Sequence, residues 1–218
     1  MGGLRTVWGS GFRVSSGARS RLECRVSGTS ALWYLGTRPA GGTVNGVMTT
    51  DMVAGVGAAT IRPYDRQRHG DAAWRIVAAV FDEYGWEFEN DDYDGDVREP
   101  DRWYIAPGGG FAIAEDEGGR PVGCVGYTDE GGGVFELHRL YVLAEARRSG
   151  AGSALVRWVI DEVRAAGARK LVLFSDTAFL DAHRLYLRFG FRNTRFRYAD
   201  DPWRSPEWGF ELTLKEDC

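Results

Sequence analysis

Cysteine is scarce in this chain: Cys24, Cys124 and Cys218 are the three, and they are scattered. They are too few and too far apart for a disulfide framework or a thiolate metal site, and a reducing cytoplasm is the expected compartment. Histidine is equally scarce, three residues without paired spacing, so no metal is expected. No apolar run approaches the roughly 20 residues of a membrane span. A basic excess is missing too: the net charge is −4 and the pI about 5.5, which argues against nucleic acid as a partner. Acidic residues are absent from residues 1–47 except for Glu23, and that stretch has no sustained apolar period. It reads as disordered, as an organelle transit peptide, or, the preferred reading, as a non-native extension upstream of a true start at Met48 or Met52.

The remainder is ordinary for one globular domain, expected over 59–216, with 44% hydrophobic and 27% charged residues in the 218-residue chain. A strand is expected near Ala59–Arg62 and a helix over Asp65–Tyr84, with Trp74, Val77, Ala78, Phe81 and Tyr84 as its stripe. Phe111–Glu115 and Val122–Tyr127 read as strands joined by a Glu-Gly-Gly-Arg turn, and Val134–Val142 as a fourth strand. A helix over Ser149–Ala166 ends at Gly167. Lys170–Asp176 is a buried strand, and the following helix is capped by Asp176 or Thr177. Asn193–Tyr198 and Trp208–Leu214 close the chain as strands. This order implies an α/β (α+β) domain. Its mixed, mostly antiparallel central sheet has about seven strands, flanked by about four helices on both faces.

Between the fourth strand and the next helix lies Arg147, Arg148, Ser149, Gly150, Ala151, Gly152, Ser153. Closely spaced glycines at a strand-to-helix turn expose backbone N–H groups at the positive end of a helix, an anion site suited to pyrophosphate. A P-loop would need Lys and Ser/Thr after the second glycine, where Ser153-Ala154 stands instead. A dinucleotide fingerprint would need a small residue at Leu155. What is left is Arg-x-x-Gly-x-Gly. One βα unit later comes Ala182-x-x-Leu185-Tyr186-x-x-Phe189-Gly190-Phe191.

The two patterns, in this order, resemble the two signatures of the GNAT acetyltransferases, and the resemblance spans about Thr60–Lys215. It implies the GNAT fold and a fourth strand that splays from the fifth at a bulge. It also implies acetyl-CoA as co-substrate, held by backbone near Leu140, Tyr141 and Val142 and by the Arg147–Ser153 loop. Phe179 departs from the pattern, standing where family members often carry a pantetheine-binding Asn. The implied reaction is N-acetylation of a small-molecule or peptide amine by direct attack in a ternary complex. A non-catalytic acyl-CoA-binding module is the alternative. Dimers are common in that family, so a homodimer is one expected state.

Acetyl transfer to an amine needs a base and an acid. Glu136 is the candidate base: it shares an alternate, partly apolar face with His138, Leu140 and Val142, where burial raises a carboxyl pKa. It also stands eleven residues before Arg147, as the base does in family members that use a fourth-strand glutamate. A salt bridge with Arg139 or with an arginine elsewhere is the competing role, and His138 the substitute base. Tyr186 is the candidate acid for the leaving thiolate, against a role as a core tyrosine. Acids crowd Asp82–Glu99, with Tyr84, Trp86, Phe88 and Tyr93 between them, as a cation-attracting border or a solvated loop. Arg184, Arg188, Arg192, Arg195 and Arg197 could meet the 3′-phosphate of coenzyme A or form a solvated face.

Overall fold

The computed structural model describes residues 59–88 and 94–214, and the backbone of a two-residue ladder pairing Arg25–Val26 with Thr29–Ser30. The chain divides into two units, Met1–Asp51 and Met52–Cys218, and the main sheet belongs to the second. Apart from the short ladder, the extension expected over 1–47 lies outside the described residues, as do Glu89, Asp91, Asp92 and Tyr93 of the acidic stretch.

Seven strands make one sheet: β1 (Thr60–Pro63), β2 (Gly110–Glu115), β3 (Pro121–Asp129), β4 (Val134–Val142), β5 (Lys170–Asp176), β6 (Arg192–Tyr198) and β7 (Pro206–Thr213). Their order is β1-β2-β3-β4-β5-β7-β6. Every neighbouring pair is antiparallel except β4 and β5, which are parallel and joined by the crossover helix α3 (Ala151–Ala165). The expected mixed sheet is therefore present, and β4 and β5 keep the bounds read from the sequence.

Alternation along the central strands supplies two cores. In β2, Phe111 and Ile113 face α2 (Ala72–Tyr84), whereas Ala112 and Ala114 face α3. Helix α2 presents Ala73, Ile76, Val77 and Phe81 to one face of the sheet. Helix α3 presents Leu155, Val156, Val159, Ile160 and Val163 to the other. These are i, i+3, i+4 sets, so each helix buries one stripe.

The single helix expected over Asp65–Tyr84 is two. Helix α1 (Arg66–His69) is capped by the Asp65 carboxylate, which accepts the Arg68 N–H at 2.7 Å, and it ends at Gly70 with φ 50°. That left-handed residue turns the chain before α2 begins. The expected cap of α4 (Leu180–Arg188) is also displaced. Asp176 Oδ1 accepts the Ala178 N–H at 2.7 Å in a turn ahead of the helix, and Phe179 holds the N-cap position without a side-chain bond.

Glu115 anchors the far end of β2. Its buried carboxylate accepts Arg68 Nε at 2.6 Å and Nη2 at 2.8 Å and Arg62 Nε at 2.8 Å, with His69 Nε2 3.3 Å away. The Arg68 hydrogen bond, helped by Arg62 and opposed by burial, holds its pKa down at about 2. A carboxyl depressed in the folded state stabilises it above the unfolded value of about 4.3 and loses that contribution as pH falls toward 2. Glu115→Gln is expected to lower Tm at neutral pH, by about 1–3 kcal/mol of stability. The gap from wild type should close on acidification. Thermal melts at both pH values check this; equal Tm at pH 7 would make the cluster neutral to stability.

Candidate active site

The site begins with one extra residue in β4. Gly126 pairs with His138 and Cys124 with Tyr141, so two steps along β3 match three along β4. Arg139 takes up the difference at φ 52°, a β-bulge. The left-handed conformation costs a non-glycine residue about 1–3 kcal/mol. Its side chain offsets that cost: Nε and Nη2 donate to Asp96 at 3.0 and 2.7 Å, and Nη1 donates to Asp94 at 2.7 Å. Asp94 is fully buried, and the Tyr104 hydroxyl also donates to Asp96. Arg139 thus pairs with these acids rather than with Glu136.

The bulge changes the phase of the strand. Before it, Phe135 and Leu137 face α3 and Glu136 and His138 face the other side; after it, Leu140 and Val142 turn toward α3 and Tyr141 toward α2. The expectation that Leu140 and Val142 share the face of Glu136 is corrected on this ground. Beyond Glu136 the parallel ladder also stops: the register runs from Val134↔Lys170 to Glu136↔Val172. The strands part there, and a cleft of about 1200 Å³ opens between them.

That cleft collects ten of the twelve residues expected in the site. Glu136, Leu140, Tyr141 and Val142 come from β4; Arg147, Arg148, Gly150, Gly152 and Ser153 from the loop and α3; Tyr186 from α4. Ser149 and Ala151 stay outside its lining. Ser149 Oγ instead braces the loop, donating to Ala146 O at 2.7 Å and accepting Ala151 N–H at 3.3 Å. Arg147 is engaged elsewhere: Nη1 and Nη2 each lie 2.6 Å from a Glu83 oxygen, and Nε donates to Val142 O at 3.0 Å. It fastens the end of α2 to the end of β4.

The two glycines do different work. Gly150 is the N-cap of α3 at φ 98°, and a Cβ there would meet nothing within 4 Å, so open space adjoins the turn. A Cβ on Gly152 would lie 3.4 Å from Leu185 Cδ2 and 3.7 Å from Val142 Cγ2, against neighbours. First-turn amides such as those of Gly152 and Ser153 lack intrahelical acceptors. This fits a pyrophosphate group, the part of acetyl-CoA these residues would hold. Gly150→Glu is expected to weaken acetyl-CoA binding by placing a carboxylate in that open space, as measured by calorimetry. Unchanged affinity in the folded variant would remove the loop from the cofactor site.

Glu136 is about one-fifth exposed, and burial, reinforced by Glu130, raises its pKa. Its Oε1 lies 3.9 Å from His138 Nδ1. Burial, aided by the Arg139 charge, lowers the His138 pKa to about 4. The other ring nitrogen, Nε2, lies 2.9 Å from Thr128 Oγ1. Tyr186 is buried against Phe191 and Phe210, and burial, reinforced by Tyr141, pushes its hydroxyl well up. It is therefore a permanent hydrogen-bond donor, and a full proton donor only where negative charge builds beside it. Glu130, Glu136 and His138 each bring a ligand atom within 4.8 Å of the others and are the described residues that could hold a metal.

Four of the six described acids of the stretch are paired. Glu83 pairs with Arg147, Glu99 with Arg102, and Asp94 and Asp96 with Arg139. Tyr84 and Trp86 pack on Phe179, and Phe88 on Phe81 and Trp74. Of the arginines, Arg184, Arg188 and Arg197 line the cleft; Arg195 and Arg197 stack over Phe174, and Arg197 also binds Glu207 at 2.7 Å. Sequence reasoning missed Thr128 and gave Asp94 and Asp96 no particular role. Thr128 could have been found from its place opposite Glu136 in the β3–β4 ladder. No helix among the described residues is long and apolar enough to cross a membrane.

Comparison with known proteins points the same way as the geometry. The profile described as Acetyltransferase (GNAT) family matches residues 77–191. An uncharacterized N-acetyltransferase of Schizosaccharomyces pombe is 35% identical over 124 residues, which is 56% of this chain and 76% of that protein. Aminoalkylphosphonate N-acetyltransferase of Salmonella typhimurium is 40% identical over 66 residues, 30% of this chain and 43% of that protein. Among solved structures, a GNAT-family acetyltransferase of Staphylococcus aureus superposes with TM-score 0.62 at 22% identity, covering 72% of this chain and all of that one (100%). A structure from Salmonella typhimurium with its cofactor acetyl-CoA superposes with TM-score 0.57 at 22% identity, covering 74% of this chain and 97% of that one.

Proposed function

Since the chain belongs to the acetyltransferase (GNAT) family, we propose that it transfers the acetyl group of acetyl-CoA to a primary amine, with both substrates bound together in the β4–β5 cleft. Acetyl-CoA supplies the acyl group as a thioester. The first-turn amides of α3 and the open turn at Gly150 would bind its pyrophosphate. The parted edge of β4 near Tyr141 offers backbone groups to the pantetheine arm and the thioester carbonyl. Glu136 takes a proton from the bound ammonium, and Tyr186 donates a hydrogen bond, then a proton, to the departing sulfur.

The observation that carries this reading is the joining, in one cleft, of a carboxyl raised by burial, a buried phenol and a helix N-terminus whose N-cap, Gly150, has no side chain to cover it. Primary amines of several kinds remain candidates, and aminoalkylphosphonates belong in the panel because one relative is named for them. The test is release of coenzyme A thiol across that panel. Amine-dependent release supports the reading. Tight acetyl-CoA binding without release for any amine would favour a binding module instead.

A further inference from the structure

Thr128 has one hydroxyl proton and two polar neighbours. Its Oγ1 lies 2.7 Å from Glu130 Oε1 and 2.9 Å from His138 Nε2. A carboxylate accepts and has no proton to offer, so the Thr128 proton goes to Glu130. The Thr128 oxygen must then accept from His138, which places the ring proton on Nε2 and leaves a lone pair on Nδ1. That lone pair faces Glu136, whose Oε1 is 3.9 Å away. Two acceptors at this separation suit a single nitrogen or oxygen between them that donates one hydrogen to each.

We propose that Thr128 and Glu130 lock His138 as the Nε2–H tautomer, so that His138 Nδ1 and Glu136 Oε1 form a two-point clamp for two N–H bonds of a primary acceptor amine. The inference rests on the amine-transfer reading for its substrate and on the hydrogen-bond geometry for its tautomer. Thr128 and Glu130 act through His138 and are positioning residues. The clamp selects the acceptor. A primary ammonium that has given one proton to Glu136 and turned its lone pair to the carbonyl still carries two N–H bonds, one for His138 Nδ1 and one for the Glu136 carboxyl. A secondary amine, with its remaining hydrogen directed to one partner, fills only half the clamp once it is neutral. The Tyr104 ring packs near the imidazole, the two ring centroids 5.9 Å apart.

The test uses the full chain with nitrogen-15-labelled histidine. Long-range proton–nitrogen NMR reads the tautomer of His138, assigned by loss of its signals in His138→Gln. The wild type should carry its proton on Nε2. Thr128→Val, which removes the hydroxyl and keeps the shape, should give a mixture of tautomers, and Thr128→Ser should restore the single form. With a primary amine that turns over, Thr128→Val should lose about tenfold in kcat/KM for the amine, leave the KM for acetyl-CoA unchanged, and be rescued by Thr128→Ser. A wild-type proton on Nδ1, or a Thr128→Val variant unchanged in both tautomer and amine kinetics, would overturn the lock. Secondary amines accepted as well as primary ones would overturn the clamp. The NMR readout needs no acceptor. A protein that acetylated no amine would thus fail the transfer reading while the tautomer was decided separately.

Discussion

Glu136→Gln should lower kcat at neutral pH by about 10²–10³-fold, within the usual worth of a positioned acid or base. The substitution keeps the shape of the side chain and the short register of β4 with β5. What it removes is the proton acceptor. Burial, with Glu130 beside it, raises the Glu136 pKa. Because the base must be ionised to work, the rate of the wild type should climb with pH through a limb above the ordinary carboxylate value of about 4.3. In the variant that limb should disappear, and activity should recover at higher pH as the free amine loses its own proton in solution. That limb would belong to the coupled set of Glu136, His138 and the amine rather than to one group. Full activity of Glu136→Gln across that limb would make Glu136 structural and His138 the leading base.

The second large effect is expected at Tyr186. Tyr186→Phe removes one oxygen from a ring already packed on Phe191 and Phe210, so the fold should survive. The expected loss is in kcat, about 10- to 1000-fold if stabilising the departing thiolate limits the rate. Affinity for acetyl-CoA should barely move. The size of the loss also separates two roles. With its pKa raised by burial, the phenol is a reluctant proton donor, so an alternative acceptor with a faster chemical step should show a smaller deficit. Unchanged kcat with an unchanged Tm would leave Tyr186 as a core residue alone.

Much of this was legible in the chain. The bounds of β4 and β5 follow from apolar runs between glycine-rich and charged turns, and the loop from Arg147 to Gly152 announces a helix N-terminus. The two glycines could not be told apart from sequence, because one meets open space and the other meets Leu185 and Val142. A bulge in β4 was implied by the family resemblance, but its position was not. Arg139 is a poor candidate for a left-handed residue, and the local mark of the bulge is slight: the adjacent polar pair His138-Arg139 shifts the core-facing apolar positions from Phe135 and Leu137 to Leu140 and Val142. Its cause lies more than forty residues earlier, in Asp94 and Asp96, and periodicity within one strand carries no trace of that. The same distance explains why the acidic stretch looked like a free cation-attracting surface, when three of its acids fasten arginines of β4 and of the loop before α3. The break at Gly70 was visible as a glycine inside the expected helix, but the apolar stripe that begins at Trp74 was extended back across it.

Initial-velocity kinetics with acetyl-CoA and one accepted primary amine varied together test the central claim most directly. Direct attack within one cleft predicts intersecting double-reciprocal lines, with thiol release that depends on the amine from the first turnover. Parallel lines, or a burst of thiol released before any amine is added, would contradict it by showing that the acetyl group passes first to the protein.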